Sequence, residues 1–278
     1  MRHRIVFAFL CCALFATEPN DATRRWWSHV AALANDKMEG RDTASDGYRR
    51  AARYVVAEFE RAGLKPAGES GYYQGAFDDA AYVATLIDFA ERLHDAGRKL
   101  KRSLLFCVVT GEEKGLLGSK YFTAHPTIAP ERMVANINLD QLRPIFPLKL
   151  LTTLALDEST LGDTVKQVAA AMGIGIQPDP EPERNLLRRS DHYSFMQIGV
   201  PAVGFVFGYE KGSPDEAVYR RWYAERYHSP ADDLKQPWDP TAAARFNDFF
   251  ARVVEALADA PQRPRWKPGS PYARPGVR

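Results

Sequence analysis

Ser103-Leu-Leu-Phe-Cys-Val-Val-Thr110 runs without a break into Gly111-Glu112-Glu113-Lys114-Gly115-Leu-Leu-Gly-Ser119. The first half is apolar in both phases of a two-residue alternation, the signature of a strand covered on both faces. The same pattern returns at Val134 to Leu139, Leu148 to Leu154 and Val200 to Phe207, which read as strands. Helical spacing of apolar residues marks Arg24 to Leu33, Ser45 or Asp46 to Gly63, Ala80 to Ala96, Glu158 to Met172, Ser190 to Ile198 and Pro240 to Ala260. Buried strands alternating with helices predict an α/β fold, a three-layer sandwich with a mostly parallel central sheet flanked by helices.

At 278 residues, with 45% apolar and 26% charged composition, the chain can bury one sizeable core. Its 37 basic and 35 acidic residues are interspersed, so the formal charge of +2 gives no field that would draw nucleic acid. Met1-Arg2-His3-Arg4 followed by the apolar run Ile5 to Ala16 has the form of a secretory signal over residues 1–16. The run is shorter than the roughly 20 residues of a membrane span. An uncleaved anchor is the alternative, because the small-residue pattern near Leu14 to Ala16 is imperfect. Export to the periplasm or the extracellular space is the expectation. Cys11 and Cys12 would leave with the signal, and Cys107, inside an apolar run, reads as a buried strand cysteine rather than a nucleophile. Residues 261–278, rich in Pro and Arg, read as a loosely held tail.

Glu112 and Glu113 stand at the carboxyl end of the quoted run, where ligands gather in open α/β sheets. Adjacent glutamates in a turn point different ways, so one can bind a metal while its neighbour faces the attacking water. A bare Glu-Glu pair is more often a solvated turn. Asp140 closes the run Asn136-Ile-Asn-Leu-Asp140, again at a carboxyl end, where a cap or an ordinary loop aspartate is the plain reading. Asp78 and Asp79 precede the helix at Ala80 and could serve as its caps. His228, in Tyr227-His228-Ser229-Pro230-Ala-Asp-Asp233, occupies a loop from which an imidazole can reach a metal. His192, in Ser190-Asp191-His192, reads as a ligand or, preferably, as a group orienting one. His29 reads as a packed or surface histidine.

Taken in order, Gly75-Ala-Phe-Asp-Asp-Ala80, the Glu112-Glu113 turn with Gly-Leu-Leu-Gly-Ser, Asn138-Leu-Asp140, Ser190-Asp-His-Tyr-Ser-Phe195 with Gly199-Val-Pro, and Tyr227-His-Ser-Pro-Ala-Asp-Asp233 resemble the co-catalytic zinc aminopeptidases. That family includes relatives of bacterial leucyl aminopeptidase, glutamate carboxypeptidase and glutaminyl cyclase. The resemblance covers nearly the whole chain after the signal, implies a phosphorylase/hydrolase-like fold, and makes residues 17–260 a zinc peptidase-like domain. It implies that Asp78 bridges two zinc ions, that Glu112 is the general base, and that Glu113, Asp140 and His228 are ligands. One element of the family pattern is missing. A His-x-Asp strand, often with an inserted lid, separates the Gly-Tyr-x-Gln region from the Gly-Ala-x-Asp turn, whereas here Gln74 joins Gly75 directly.

Sorted by metal, Asp78, Glu113 and His228 make one full zinc site, while the second keeps only Asp78 and Asp140. One zinc is therefore expected and a second is doubtful. The implied activity is zinc-dependent hydrolysis of peptides from the N-terminus. The alternatives are a catalytically silent shortened relative and a single-zinc cyclotransferase like glutaminyl cyclase. Tyr82, where the family has glycine, either fills space left by the missing strand or is drift. The loss of sheet area predicts exposed apolar helix faces.

Overall fold

In the computed structural model, residues 19–42, 44–65, 80–229 and 231–273 are described. Local signals place the first helices. The Asn20 side chain accepts from the Thr23 amide at 2.8 Å and opens α1 (Asp21–Leu33). Ser45 does the same for the Tyr48 amide at the start of α2 (Asp46–Arg61). With α3 (Ala80–Asp95) these helices enclose a cluster of Leu33, Ala51, Val55, Phe59, Val83 and Ile87.

Then follow α4 (Leu117–Ala124), β1 (Asn136–Gln141), β2 (Leu150–Leu154), α5 (Leu161–Ala171), β3 (Gly175–Gln177), α6 (His192–Gln197), β4 (Ala202–Phe207), α7 (Pro214–Glu225) and α8 (Pro240–Asp259). The strands form one sheet in the order β1-β4-β2-β3. β1 pairs parallel to β4 and β2 parallel to β3, while β2 runs antiparallel to β4. Asp239 caps α8 by accepting from the Thr241 and Ala242 amides, with Pro240 in the first turn, where its missing N–H costs nothing. The aromatic side of α8 packs on β4, with Phe249 edge-on to Phe205 at 5.3 Å. Buried β4 and α8 form the middle of the main core. The α/β architecture with helices around a mixed sheet is as expected.

The strand expected at Ser103 to Thr110 is the main correction. Its side chains alternate as a strand's would: Phe106 and Val108 pack towards α2 and α3, while Leu105 and Cys107 pack towards Phe122, Phe195 and Val200. Yet the segment makes no ladder among the described residues, and β1 is left as a sheet edge. A cavity of about 310 Å³ lies between the two, walled by Leu104, Phe106 and Val108 on one side and Val134, Ile137 and Leu139 on the other. Two-sided burial produces the sequence signal, but a ladder needs a neighbour at about 4.8 Å, and here the cavity takes that position.

Other expectations also change. Among the described residues the large, apolar and exposed side chains are Leu117 and Tyr121 on α4 and Val218 on α7, so little apolar helix surface is exposed and much of the remainder lines the cavity. Tyr82 belongs to that interior: it is buried, lines the cavity, and donates to the Phe205 carbonyl at 3.2 Å. The tail is tied down as far as Ala273. Lys267 donates its amide to the Glu158 carbonyl at 2.9 Å, and the Trp266 indole donates to the Gly199 carbonyl at 2.9 Å. No helix among the described residues is long and apolar enough to cross a membrane.

Candidate active site

Glycine chemistry shapes the turn that carries the two glutamates. Gly111 has φ +66°, and a Cβ on Gly118 would stand 2.5 Å from the Thr110 nitrogen. That close approach lets the Gly118 amide donate to the Thr110 carbonyl at 2.8 Å, while the Gly115 and Leu116 amides donate to the Glu112 carbonyl at 2.9 and 2.8 Å. With the backbone so folded, the glutamates part. Glu112 lines both the 310 Å³ cavity and a smaller cleft of about 40 Å³, whereas Glu113 lines only the cleft.

His228 meets Glu113 beside this cleft. Its Nε2 lies 2.5 Å from Glu113 Oε1, with both side chains about half exposed. The residue adopts φ +54°, and its ring stacks on Tyr227 at 3.7 Å between centroids. The loop is pinned by the Ser229 amide donating to the Arg226 carbonyl at 3.0 Å and the Arg226 guanidinium donating to the Ala231 carbonyl at 2.5 Å. Asp140 enters the same cleft from β1. Burial pushes its carboxyl up, against the opposing pull of a Ser190 hydrogen bond and the Arg143 charge; Glu113 adds to the rise. Asn138 Nδ2 donates to Ser190 Oγ at 2.7 Å, which leaves the Ser190 proton for Asp140.

The sequence did not single out the cations around this cleft. Arg184 and Arg189 line it. Arg143 donates to the Tyr223 hydroxyl at 2.7 Å and lies 4.2 and 4.8 Å from the Tyr223 and Trp222 rings. No motif marked Arg143 and Arg184, since their ring partners come from α7, a helix too polar to stand out. The structure thus brings Glu112, Glu113 and Asp140 to one cleft, with His228 beside it in contact with Glu113. Asp78 and Asp79 lie outside the described residues. His192 is fully buried, and neither ring nitrogen has a hydrogen-bond partner among the described residues, so it orients none of Glu113, Asp140 and His228.

The donor set suits zinc. An imidazole and carboxylates are its usual nitrogen and oxygen ligands, and two ligands on a tetrahedral zinc are about 3.3 Å apart. His228 and Glu113, at 2.5 Å, would open by less than about 1 Å, which two half-exposed side chains can do. The cleft also has room for an ion and one or two waters at roughly 10–15 Å³ each.

Residues 57–254 match Peptidase family M28. The chain is 27% identical over 191 residues to leupeptin-inactivating enzyme 1 of Streptomyces exfoliatus, covering 66% of this chain and 42% of that protein. It is 28% identical over 209 residues to a probable glutamate carboxypeptidase, LAMP1, of Arabidopsis thaliana, covering 70% of this chain and 29% of the relative. The chain thus spans less than half the length of these curated relatives. Among solved structures, the LapA aminopeptidase of Legionella pneumophila superposes with TM-score 0.61 at 14% identity, over 94% of this chain and 81% of that one. The glutaminyl cyclase of Porphyromonas gingivalis superposes with TM-score 0.57 at 14% identity, over 84% and 99%.

Proposed function

Because this chain belongs to peptidase family M28, we propose that it is an exported, zinc-dependent exopeptidase that removes residues from peptide N-termini. The observation that carries this reading is the approach of His228 Nε2 to Glu113 Oε1 at 2.5 Å, beside a cleft that Glu113 lines with Glu112 and Asp140. Glu113 and His228 would hold the zinc together with Asp78. Bound there, zinc supplies a Lewis acid for the scissile carbonyl and lowers the pKa of a water towards about 7.

The chain's own groups do the rest. Glu112 takes a proton from the attacking water and returns it to the leaving amine. The carboxylate of Asp140 would favour a free α-amine, and Arg143, Arg184 and Arg189 give the rim the positive charge that orients carbonyl or carboxylate groups of the peptide. A single filled zinc position is the arrangement that this ligand set supports best, because Asp140 has no described histidine beside it to complete another.

The test is hydrolysis of aminoacyl anilides by the purified chain, before and after chelation and zinc return, with Glu112→Gln as the variant. The expected result is activity that follows zinc and falls about 10²–10⁴-fold in the variant. Activity indifferent to chelation, or to Glu112→Gln, removes the assignment. A zinc-loaded, folded chain with no hydrolysis of anilides but cyclisation of N-terminal glutamine makes it a cyclotransferase. Neither activity makes it a silent relative.

A further inference from the structure

A second group of metal-ligating side chains lies at the junction of the first three helices. His29 from α1, Glu58 from α2 and Glu91 from α3 offer ligand atoms that all lie within 4.8 Å of one another. His29 and Glu58 are each 4% exposed, and the Glu91 side chain 16%. Three helices therefore deliver an imidazole and two carboxylates to one shielded point.

Hydrogen bonding orients the imidazole here. His29 Nδ1 lies 2.8 Å from the Tyr54 hydroxyl, and His29 Nε2 lies 3.3 Å from Glu91 Oε2. A neutral imidazole that donates from Nδ1 to the Tyr54 oxygen turns its Nε2 lone pair towards the Glu91 carboxylate. A positive centre between them, a proton or a metal ion, relieves that opposition. The 3.3 Å gap equals the separation of about 3.3 Å between two ligands on tetrahedral zinc. The Tyr54 contact with Nδ1 is also the kind of outer hydrogen bond that fixes a ligating histidine.

The neighbouring cations do not close the point. Arg25 reaches Glu91 at 3.4 Å but Asp88 at 3.0 Å and Asp95 at 3.6 Å, and Arg92 also faces Asp88. Arg61 contacts Glu58 from the solvent side, with its own side chain 65% exposed. Exposed arginines exchange such contacts at little cost. We propose that His29, Glu58 and Glu91 bind a zinc ion that staples α1, α2 and α3 together, apart from the cleft at Glu113 and His228.

The full chain carrying Glu113→Gln and His228→Ala, which removes donors from the cleft, is equilibrated with zinc, dialysed, and its metal counted; this readout does not depend on peptidase activity. About one zinc per chain is expected to stay, and His29→Gln or Glu91→Gln added to that background is expected to remove it. In the otherwise unaltered chain, Tyr54→Phe keeps the ring and deletes the hydroxyl, and zinc at this site should weaken about 10–100-fold, with the helical circular dichroism retained. A folded chain that holds no zinc in the first background overturns the proposal and leaves a proton between His29 and Glu91. So does a zinc count that none of His29→Gln, Glu91→Gln and Tyr54→Phe alters.

Discussion

His192 makes stability depend on pH in a calculable way. It is fully buried on α6, with no hydrogen-bond partner on either nitrogen among the described residues. Its ring stands so close to β4 that a Cβ on Gly204 would meet Nδ1 and Cε1 at 3.3 Å. Burial lowers its pKa from 6.5 to about 4. Above pH 6.5 the imidazole is neutral folded and unfolded, and costs nothing. Between pH 6.5 and 4 the unfolded chain binds a proton that the folded chain refuses, so stability falls with pH; below 4 both states are charged and the loss levels off. At 1.36 kcal/mol per unit the loss totals about 3 kcal/mol, a large part of the 5–15 kcal/mol typical of a domain. Urea unfolding at pH 7.5, 5.5 and 4 for the native chain and His192→Leu isolates it, because other acid-sensitive groups cancel in the difference. Leucine also removes two unpaired polar atoms, so the variant should start within about 1.5 kcal/mol of the native chain. It should gain about 3 kcal/mol on it by pH 4. Parallel curves for the two proteins across that range refute the reasoning.

Gly118→Ala should strain the turn that carries Glu112, since the new methyl would sit 2.5 Å from the Thr110 nitrogen; a loss of about 1–3 kcal/mol in thermal or urea unfolding is expected, with peptidase activity reduced further than stability. Trp26→Ala removes a side chain 1% exposed whose indole donates to Thr85 Oγ1 at 3.1 Å and the Ala81 carbonyl at 3.2 Å. A cost of about 3–5 kcal/mol should appear in the urea midpoint. At Glu181 burial opposes ionisation, but hydrogen bonds from Arg184 and Arg220 at 3.1 Å each win and hold the carboxyl below its ordinary 4.5. Its contribution is therefore present above pH 4.5 and lost as pH falls below it, so the stability gap between the native chain and Glu181→Gln should close on acidification.

Local chemistry in the sequence foretold the long helices well. Asn20, Ser45 and Asp239 each cap where a helix begins, and apolar spacing identified the faces of α2, α3 and α8. β3, at three residues, is too short to carry a period, and α7 buries little beyond Tyr219, so neither left a readable apolar pattern. At the site, Glu112, Glu113 and Asp140 drew attention because they stand at the ends of apolar runs, and His228 because its loop completes the ordered set of motifs that resembles the zinc aminopeptidases. The arginines were not. Arg143 acquires its role from rings of α7 some 80 residues later, and a cation's neighbours are a property of the folded chain.

Strand identity has the same limit, and it bears on function. Ser103 to Thr110 has the composition, the two-sided burial and the alternation of a central strand, yet lacks a partner ladder among the described residues. Glu112, at its carboxyl end, and Asp140, on β1, border one cavity and are held by different means. Asp140 is fixed by the β1–β4 ladder and by Ser190, which Asn138 orients. Glu112 is fixed by the Gly111–Gly118 turn and by α4, whose Ser119 hydroxyl lies 2.9 Å from that of Ser194 on α6. The two carboxylates are thus referred to each other through α4, α6 and β4 rather than through direct pairing of the segments that carry them. Catalysis loses steeply with misplacements of the order of 1 Å, so under the proposed mechanism the packing of α4 on α6 would help to set whether Glu112 reaches the water that Glu113 and His228 would present.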